Sequence, residues 1–405
     1  MKILVLNCGS SSIKYQFVET KNKELLAKGQ VERIGMSSAI LTHQPQGKDK
    51  IKIVGEILDH SIAIEYVIAV LLSPNHGVIK DKSEIEAVGH RVIHGGETFS
   101  GSVLITDAVM KALKDNIELA PLHNPPSIKG IEAAKAHLPN APQCGIFDTS
   151  FHAKMPAHAY LYGIPLELYK RYKIRRYGFH GTSHRYVSER AAALLNKPIE
   201  KLKIITCHLG NGSSIAAVDG GRSVDTSMGF TPLEGLVMGT RCGDMDPSVI
   251  LYIMAKEGLT MAEANTLLNK HSGLIGLSGI SSDMRELEEA YLAGDKKAAD
   301  AFNTFAYRIK KYVGSYIAAL GGLDALVFTG GIGENSELVR QYVCDNMKFL
   351  GIEINKELNH SRPQGEVDLS TPDSKVKVLK IPTNEELVIA LDTEEIVLKQ
   401  LAEQK

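Results

Sequence analysis

The chain is 405 residues long and 44% hydrophobic, with 46 Lys and Arg against 47 Asp and Glu for a net charge of -1. At roughly 100–200 residues per domain, this length suggests two or three domains and a core that folds without disulfides. The charge balance excludes a bulk nucleic-acid binder, which needs a basic footprint, and a polybasic membrane anchor. No apolar run approaches the ~18 residues of a membrane span; the best, Ile62 to Leu72, is broken by Glu65. The run Ile3 to Leu6 is too short for a secretory h-region of about 7–15 residues. Cys8, Cys144, Cys207, Cys242 and Cys344 are dispersed without a CxxC pair, which reads as reduced thiols in a cytoplasmic protein.

The first element is a buried-type strand from Lys2 that runs into Asn7-Cys8-Gly9-Ser10-Ser11-Ser12-Ile13, with Lys14 just beyond. Strands follow at Ala87–Arg91 and Gln143–Phe147, and then Lys203 to Ile215 repeats the first plan with Gly210-Asn211-Gly212-Ser213-Ser214 as its turn. Asn7 and Asn211 are 204 residues apart, about half the chain, which suggests duplicated domains facing a cleft. Asp246-Pro247 marks an N-cap and first helical residue, with Val249, Ile250, Ile253 and Met254 at helical spacing up to Gly258. A long helix spans Asp295 to Leu320 with Phe302, Phe305, Ile309, Val313 and Ile317 on one stripe. Strands Ala325–Thr329 and Val376–Ile381 precede a last helix, opened at Thr383 by a capping box that employs Glu386. This alternation of strands and helices is an α/β pattern.

Gly9, Gly210, Gly212, Gly330, Gly331 and Gly333 all follow predicted strands. Glycine lets backbone N–H groups approach an anion closely, so three such loops fit a nucleotide polyphosphate and a transferred phosphoryl group. A hairpin turn explains any one of them equally well. Neither a GxxxxGK[ST] loop nor a GxGxxG fingerprint is present. The HxxxH pairs His90/His94 and His180/His184 lack the Glu of a zinc-hydrolase helix, and glycines crowd both segments. His94, His152 and His184 read as structural. Arg241 stands in a glycine-flanked loop; with Arg91 and His180 it would suit a small acid and a migrating phosphoryl group, because arginine keeps its charge and forks onto carboxylate or phosphate.

These segments together resemble the acetokinase family of the actin-like phosphotransferase superfamily. The resemblance covers essentially the whole chain and rests on Asn7 to Lys14, His90 to Glu97, Gly178 to His184, His208 to Ser214, Asp225 to Pro247, Phe328 to Asn335 and Pro382 to Glu386. It implies two duplicated actin-like (ribonuclease H-like) α/β domains with a nucleotide cleft, a homodimer, and Mg²⁺-dependent transfer from ATP to acetate, with Mn²⁺ able to substitute. It assigns Asn7 and Glu385 to the metal, and Ser12, Lys14, His208, Leu209, Gly210, Asn211 and Gly212 to the phosphates. Asp283, Met284, Arg285, Gly331, Ile332, Gly333, Glu334 and Asn335 would hold adenosine. Arg91 would bind acetate, with Ile93, Leu122, Phe179 and Pro232 lining the methyl pocket. Asp148, His180 and Arg241 would be catalytic.

Acetate is already a carboxylate at pH 7 and needs no general base. The expectation is direct in-line transfer, with Asp148 acting electrostatically to orient an arginine or the metal shell. Residues 1–150, joined by 386–405, would form the N-terminal domain, and 151–385 the central one. A propionate kinase, a non-catalytic actin-like ATPase and a zinc hydrolase are the competing readings. The first is the nearest, and the second has no use for Arg91, Arg241 and His180 together.

Overall fold

The computed structural model describes residues 1–121 and 123–403. They divide into two compact units, 1–153 with 384–405, and 154–383. Glu385 thus belongs to the first unit, one residue outside the boundary expected for it. No helix among the described residues is long and apolar enough to cross a membrane.

The first unit is built on a sheet of eight strands: β1 (Lys2–Cys8), β2 (Ser12–Glu19), β3 (Glu24–Glu32), β4 (Ala39–Pro45), β5 (Ile51–Gly55), β6 (Ala87–Val92), β7 (Val103–Leu104) and β8 (Gln143–Phe147). Their order is β5-β4-β3-β2-β1-β6-β8-β7. β1 to β5 form an antiparallel meander, whereas β1, β6 and β8 run parallel. Both faces of β1 are buried, which is why it reads as a continuous apolar run. Leu4 and Leu6 pack with Ile64, Val67 and Ile68 of helix His60–Leu71 and Ala134 of helix Asn124–His137. Ile3 and Val5 pack with Ile389, Ala390 and Val397 of helix Glu385–Glu403. That last helix lies so close to β6 that a Cβ on Gly89 would stand 2.5 Å from Thr393 Oγ1.

The second unit has a six-stranded sheet: β9 (Lys203–Leu209), β10 (Ser213–Asp219), β11 (Arg222–Thr226), β12 (Ala325–Thr329), β13 (Val367–Asp368) and β14 (Lys377–Lys380). The order is β11-β10-β9-β12-β14-β13, with β9, β10 and β11 antiparallel and β9, β12 and β14 parallel. Helix Lys296–Leu320, capped by Asp295 and stopped by Gly321 at φ +65, drives Phe302, Phe305, Ile309 and Val313 into the core. Ile317 packs against that cluster from its edge.

Five consecutive strands of each sheet therefore share one order, β3-β2-β1-β6-β8 in one and β11-β10-β9-β12-β14 in the other. This meander followed by two parallel strands is the ribonuclease H-like arrangement, and it occurs twice. β1 begins at Lys2 and β9 at Lys203, an offset of 201 residues rather than the 204 between the asparagines. Asn7, paired with Lys14, corresponds to His208, paired with Ser214; the second hairpin is one residue shorter. Asn211 lies in the turn itself.

Two helix expectations need amendment. Helix Pro247–Glu257 starts at the Asp246 cap and ends at Gly258 with φ +68, but it buries none of its residues, and Leu251 is 67% exposed. The last helix does not begin with a Thr383/Glu386 capping box. Asn384 Oδ1 accepts from Leu387 N at 3.1 Å, which makes Asn384 the cap. Thr383 instead donates its hydroxyl to Ser183 Oγ at 2.8 Å.

Candidate active site

In parallel α/β sheets, ligands gather at the carboxyl ends of the strands. Asn7 lies one residue before the end of β1, Arg91 lies near the end of β6, and Asp148 follows β8, its N–H bonded to the Val92 carbonyl at 3.0 Å. Arg91 forks onto Asp148, with Nε to Oδ1 at 3.0 Å and Nη2 to Oδ2 at 2.7 Å. Glu385 Oε2 stands 3.6 Å from the same Nη2. Burial works against the guanidinium's charge, but Asp148 and Glu385 outweigh it and raise its pKa. Burial raises the pKa of Glu385, with Arg91 opposing the shift and Asp148 adding to it. The Nη1 edge of Arg91 has no partner among the described residues. A cluster of one cation and two carboxylates carries net charge -1 when ionised. Glu385 Oε2 is buried without a hydrogen-bond partner. A buried carboxylate oxygen without a hydrogen-bond partner suits a hard, oxygen-seeking cation. Glu386, released from the capping box, lines a groove of about 330 Å³ with Asn7 and Lys14.

The second unit holds the other half of the predicted set. His180 adopts φ +56 at the head of helix Gly181–Leu194, a left-handed conformation uncommon outside glycine. Its Nδ1 meets Ser214 Oγ at 2.9 Å, and its ring stacks on His208 with centroids 4.2 Å apart. A Cβ on Gly212 would lie 3.4 Å from Arg241 Nη1 and 3.5 Å from His180 Cε1, so both side chains converge on the second glycine turn. Arg241 donates to the Pro232 carbonyl at 3.1 Å and has no carboxylate partner among the described residues. Burial alone acts on its pKa, lowering it. A half-buried guanidinium without a carboxylate partner among the described residues can fork onto an anion.

The segment that carries Arg241 has little regular structure, and polar side chains fix it. Arg176 donates to the Thr226 and Ser227 carbonyls at 2.9 Å each and pairs with Glu234 at 2.5 Å. Asp244 takes the Gly235 amide at 2.8 Å and the Tyr312 hydroxyl at 2.6 Å, which ties the loop to the long helix. Sequence reading missed Arg176, Glu234 and Asp244 as supports, although all three adjoin or lie within recognised motifs.

A cavity of about 820 Å³ in the second unit is lined by Gly210, Asn211, Asp283, Met284, Arg285, Gly331, Ile332 and Asn335, and also by Ser282, Glu288, Leu292 and Arg362. Glu288 and Leu292 continue the helical face of Met284, a signal legible in the spacing; Arg362 has none. Gly331 faces open space, where a Cβ would meet nothing within 4 Å. Four of the expected binding residues lie elsewhere. Leu209 is fully buried in the core, and Gly333 packs on Phe328, Cys207 and Leu209. Glu334 turns its carboxylate to the amides of Gly330 and Thr383. His208 bonds Ser183 Oγ at 2.8 Å. None of these four lines the cavity. His184 shares Ser214 Oγ with His180 and bonds Thr206 Oγ1, so the HxxxH pair is a hydrogen-bonded relay and not a metal fork. Of the methyl-pocket residues, Ile93 lies in the first unit and Phe179 and Pro232 in the second. Leu122 is outside the described residues.

Buried His90 donates from Nε2 to Gln143 Oε1 at 2.7 Å, an oxygen whose amide is oriented by the Ala141 carbonyl. Burial pushes His90 down to about 4, and His94 likewise. Both stay neutral in the fold yet charge in the unfolded chain near 6.5. Stability is therefore full above about pH 6.5 and falls as pH drops towards 4. Thermal unfolding followed from pH 7 to 4 should show Tm declining through this window; a flat Tm would contradict the assignment.

Two ribonuclease H-like sheets with glycine turns at their carboxyl strand ends, a nucleotide-sized cavity and an uncompensated arginine define an actin-like phosphotransferase. The chain belongs to the acetokinase family, whose model matches residues 2–391. It is 60% identical to the acetate kinase of Thermoanaerobacterium thermosaccharolyticum over 98% of this chain and 99% of that one. Its fold is similar to that of the crystallised Porphyromonas gingivalis acetate kinase, with TM-score 0.95, 48% identity and 98% and 99% of the two chains covered. A propionate kinase from Francisella tularensis is similar at TM-score 0.90 and 42% identity, with the same coverage of 98% and 99%.

Proposed function

We propose that the chain is an acetate kinase that transfers the γ-phosphoryl group of ATP reversibly to acetate, giving acetyl phosphate and ADP by direct in-line displacement. The observation that carries this reading is Arg241, a half-buried cation without a carboxylate beside His180 and the second glycine turn. The acceptor is already an anion, so the barrier is the approach of two anions, and positioning with charge neutralisation lowers it. Arg91, oriented by Asp148, offers its open Nη1 edge to the acetate carboxylate. An acetate oxygen attacks phosphorus as the bond to the ADP oxygen breaks, and no proton moves. Arg241 and His180 hold the equatorial phosphoryl oxygens as charge redistributes. Lys14 and Ser12 contribute to the phosphate contacts, and the 820 Å³ cavity takes the adenosine. Asn7 and Glu385 would hold Mg²⁺, or Mn²⁺ in its place. The metal would supply charge neutralisation across the phosphates. A coupled assay for ADP release tests the proposal against an actin-like ATPase: release should depend on acetate, and equal release without acetate would contradict it.

Substrate size separates acetate from propionate. Ile93 is bulky and β-branched, and a pocket it walls should discriminate one methylene by about 1–3 kcal/mol, so acetate is preferred roughly 10-fold or more in kcat/KM. Ile93→Ala should narrow that ratio. Equal kcat/KM for both acids in the unmutated enzyme would refute the assignment.

A cytoplasmic homodimer completes the proposal. Helix Pro247–Glu257 leaves Val249, Leu251 and Tyr252 43%, 67% and 64% exposed, an apolar surface suited to a second copy. Sedimentation should show a dimer that the double substitution Leu251→Asp and Tyr252→Asp shifts to monomer; a wild-type monomer at micromolar concentration would exclude it.

A further inference from the structure

The first glycine turn is held from outside by a histidine remote in sequence. His60, the first residue of helix His60–Leu71 and 7% exposed, places Nε2 2.7 Å from the Gly9 carbonyl oxygen. A carbonyl only accepts, so Nε2 carries the proton. Two further carbonyls of the turn are also engaged: Ser11 O accepts from Ile34 N at 3.0 Å, and Ser12 O from Gly9 N at 2.8 Å. The amides of Ser10 and Ser11 have no backbone partner among the described residues, and both residues are exposed. An anion-binding turn needs this polarity, with carbonyl lone pairs turned away and N–H groups open. The second hairpin supplies an independent parallel. Gly210 occupies the position of Gly9, and its carbonyl is likewise taken by a side-chain donor, Ser213 Oγ at 2.9 Å. The same carbonyl is thus capped in both halves, from within the turn in one and by His60 in the other.

We propose that His60 is a positioning residue for phosphate binding: by holding the Gly9 carbonyl away it keeps the Ser10 and Ser11 amides aimed at a phosphoryl group of ATP. The inference rests on the phosphotransferase reading above. Its test is titration of a non-hydrolysable ATP analogue, with steady-state kinetics alongside, for wild type, His60→Leu and His60→Gln. Gln carries an N–H at the same number of bonds from Cβ, and Leu carries none. His60→Leu should weaken nucleotide binding and raise KM for ATP about 5- to 10-fold, the worth of one positioned hydrogen bond, with kcat changed less than about threefold. His60→Gln should restore binding to within about twofold of wild type. If the Leu variant does not fold, His60→Asn, whose amide is too short to reach, replaces it with the same expectation. Unchanged nucleotide affinity in the variant that lacks the bond overturns the proposal, as does a Gln variant as weak as Leu with equally lowered Tm. Wild-type protein that binds the analogue but makes no acetyl phosphate would overturn the acetate kinase reading alone, and the titration would still decide the role of His60.

Discussion

Arg241→Ala should lower kcat for acetyl phosphate formation by about 10³-fold or more while changing KM for ATP less than about threefold. Arg241 has no acidic partner among the described residues, so its charge is uncommitted in the free protein and available to the phosphoryl group. Burial has removed much of the water that would screen it, which makes the charge worth more at the moment of transfer. The cavity of about 820 Å³ proposed for adenosine does not include Arg241, so nucleotide affinity should depend on it weakly. Lys would keep the charge without the fork and recover only part of the rate. Single-turnover kinetics at saturating ATP check this. Lost ATP binding with normal turnover at saturation would show that Arg241 binds the ground state instead.

Asp148→Asn should be nearly as damaging, with kcat reduced by about 10²–10³-fold and KM for acetate raised. Asp148 is 2% exposed and spends both oxygens on Arg91. The amide replaces one acceptor by a donor facing Nη2 or Nε. It also leaves Glu385 as the nearest carboxylate to Arg91 among the described residues, which should draw the guanidinium away from the acetate. Glu385 would then be less available as a metal ligand, so the Mg²⁺ concentration needed for half-maximal rate should rise as well. Near-full kcat in Asp148→Asn would mean that neither the orientation of Arg91 nor the local charge matters.

Much of this was legible in the sequence. The glycine turns, the long capped helix and the strands Gln143–Phe147 and Ala325–Thr329 follow from local rules of periodicity, capping and turn chemistry. What local rules could not supply is register and partnership. The two asparagines look equivalent in one dimension, but strand pairing equates Asn7 with His208, because one hairpin is a residue shorter. Thr383 and Glu386 make a good capping box on paper. The cap fell to Asn384 because Thr383 is claimed by Ser183, 200 residues away, and Glu334 takes the Thr383 amide. Helix Pro247–Glu257 has proper start and stop signals, yet its apolar residues face outward, and periodicity does not reveal which surface a stripe will meet. Leu209 sits amid phosphate-loop residues, but as a strand residue it points into the core. Within the site, the residue types announced a chemistry of anions, whereas the Arg91–Asp148–Glu385 cluster and the isolation of Arg241 are three-dimensional facts.

An acetate kinase makes an acyl phosphate from a small carboxylate and ATP. Incubation of the purified protein with MgATP and hydroxylamine, using acetate, propionate or butyrate as acceptor, measures that product directly as the hydroxamate. Strong hydroxamate formation is expected with acetate, roughly 10-fold less kcat/KM with propionate and still less with butyrate. ATP turnover that yields no hydroxamate with any of the three acids would contradict it.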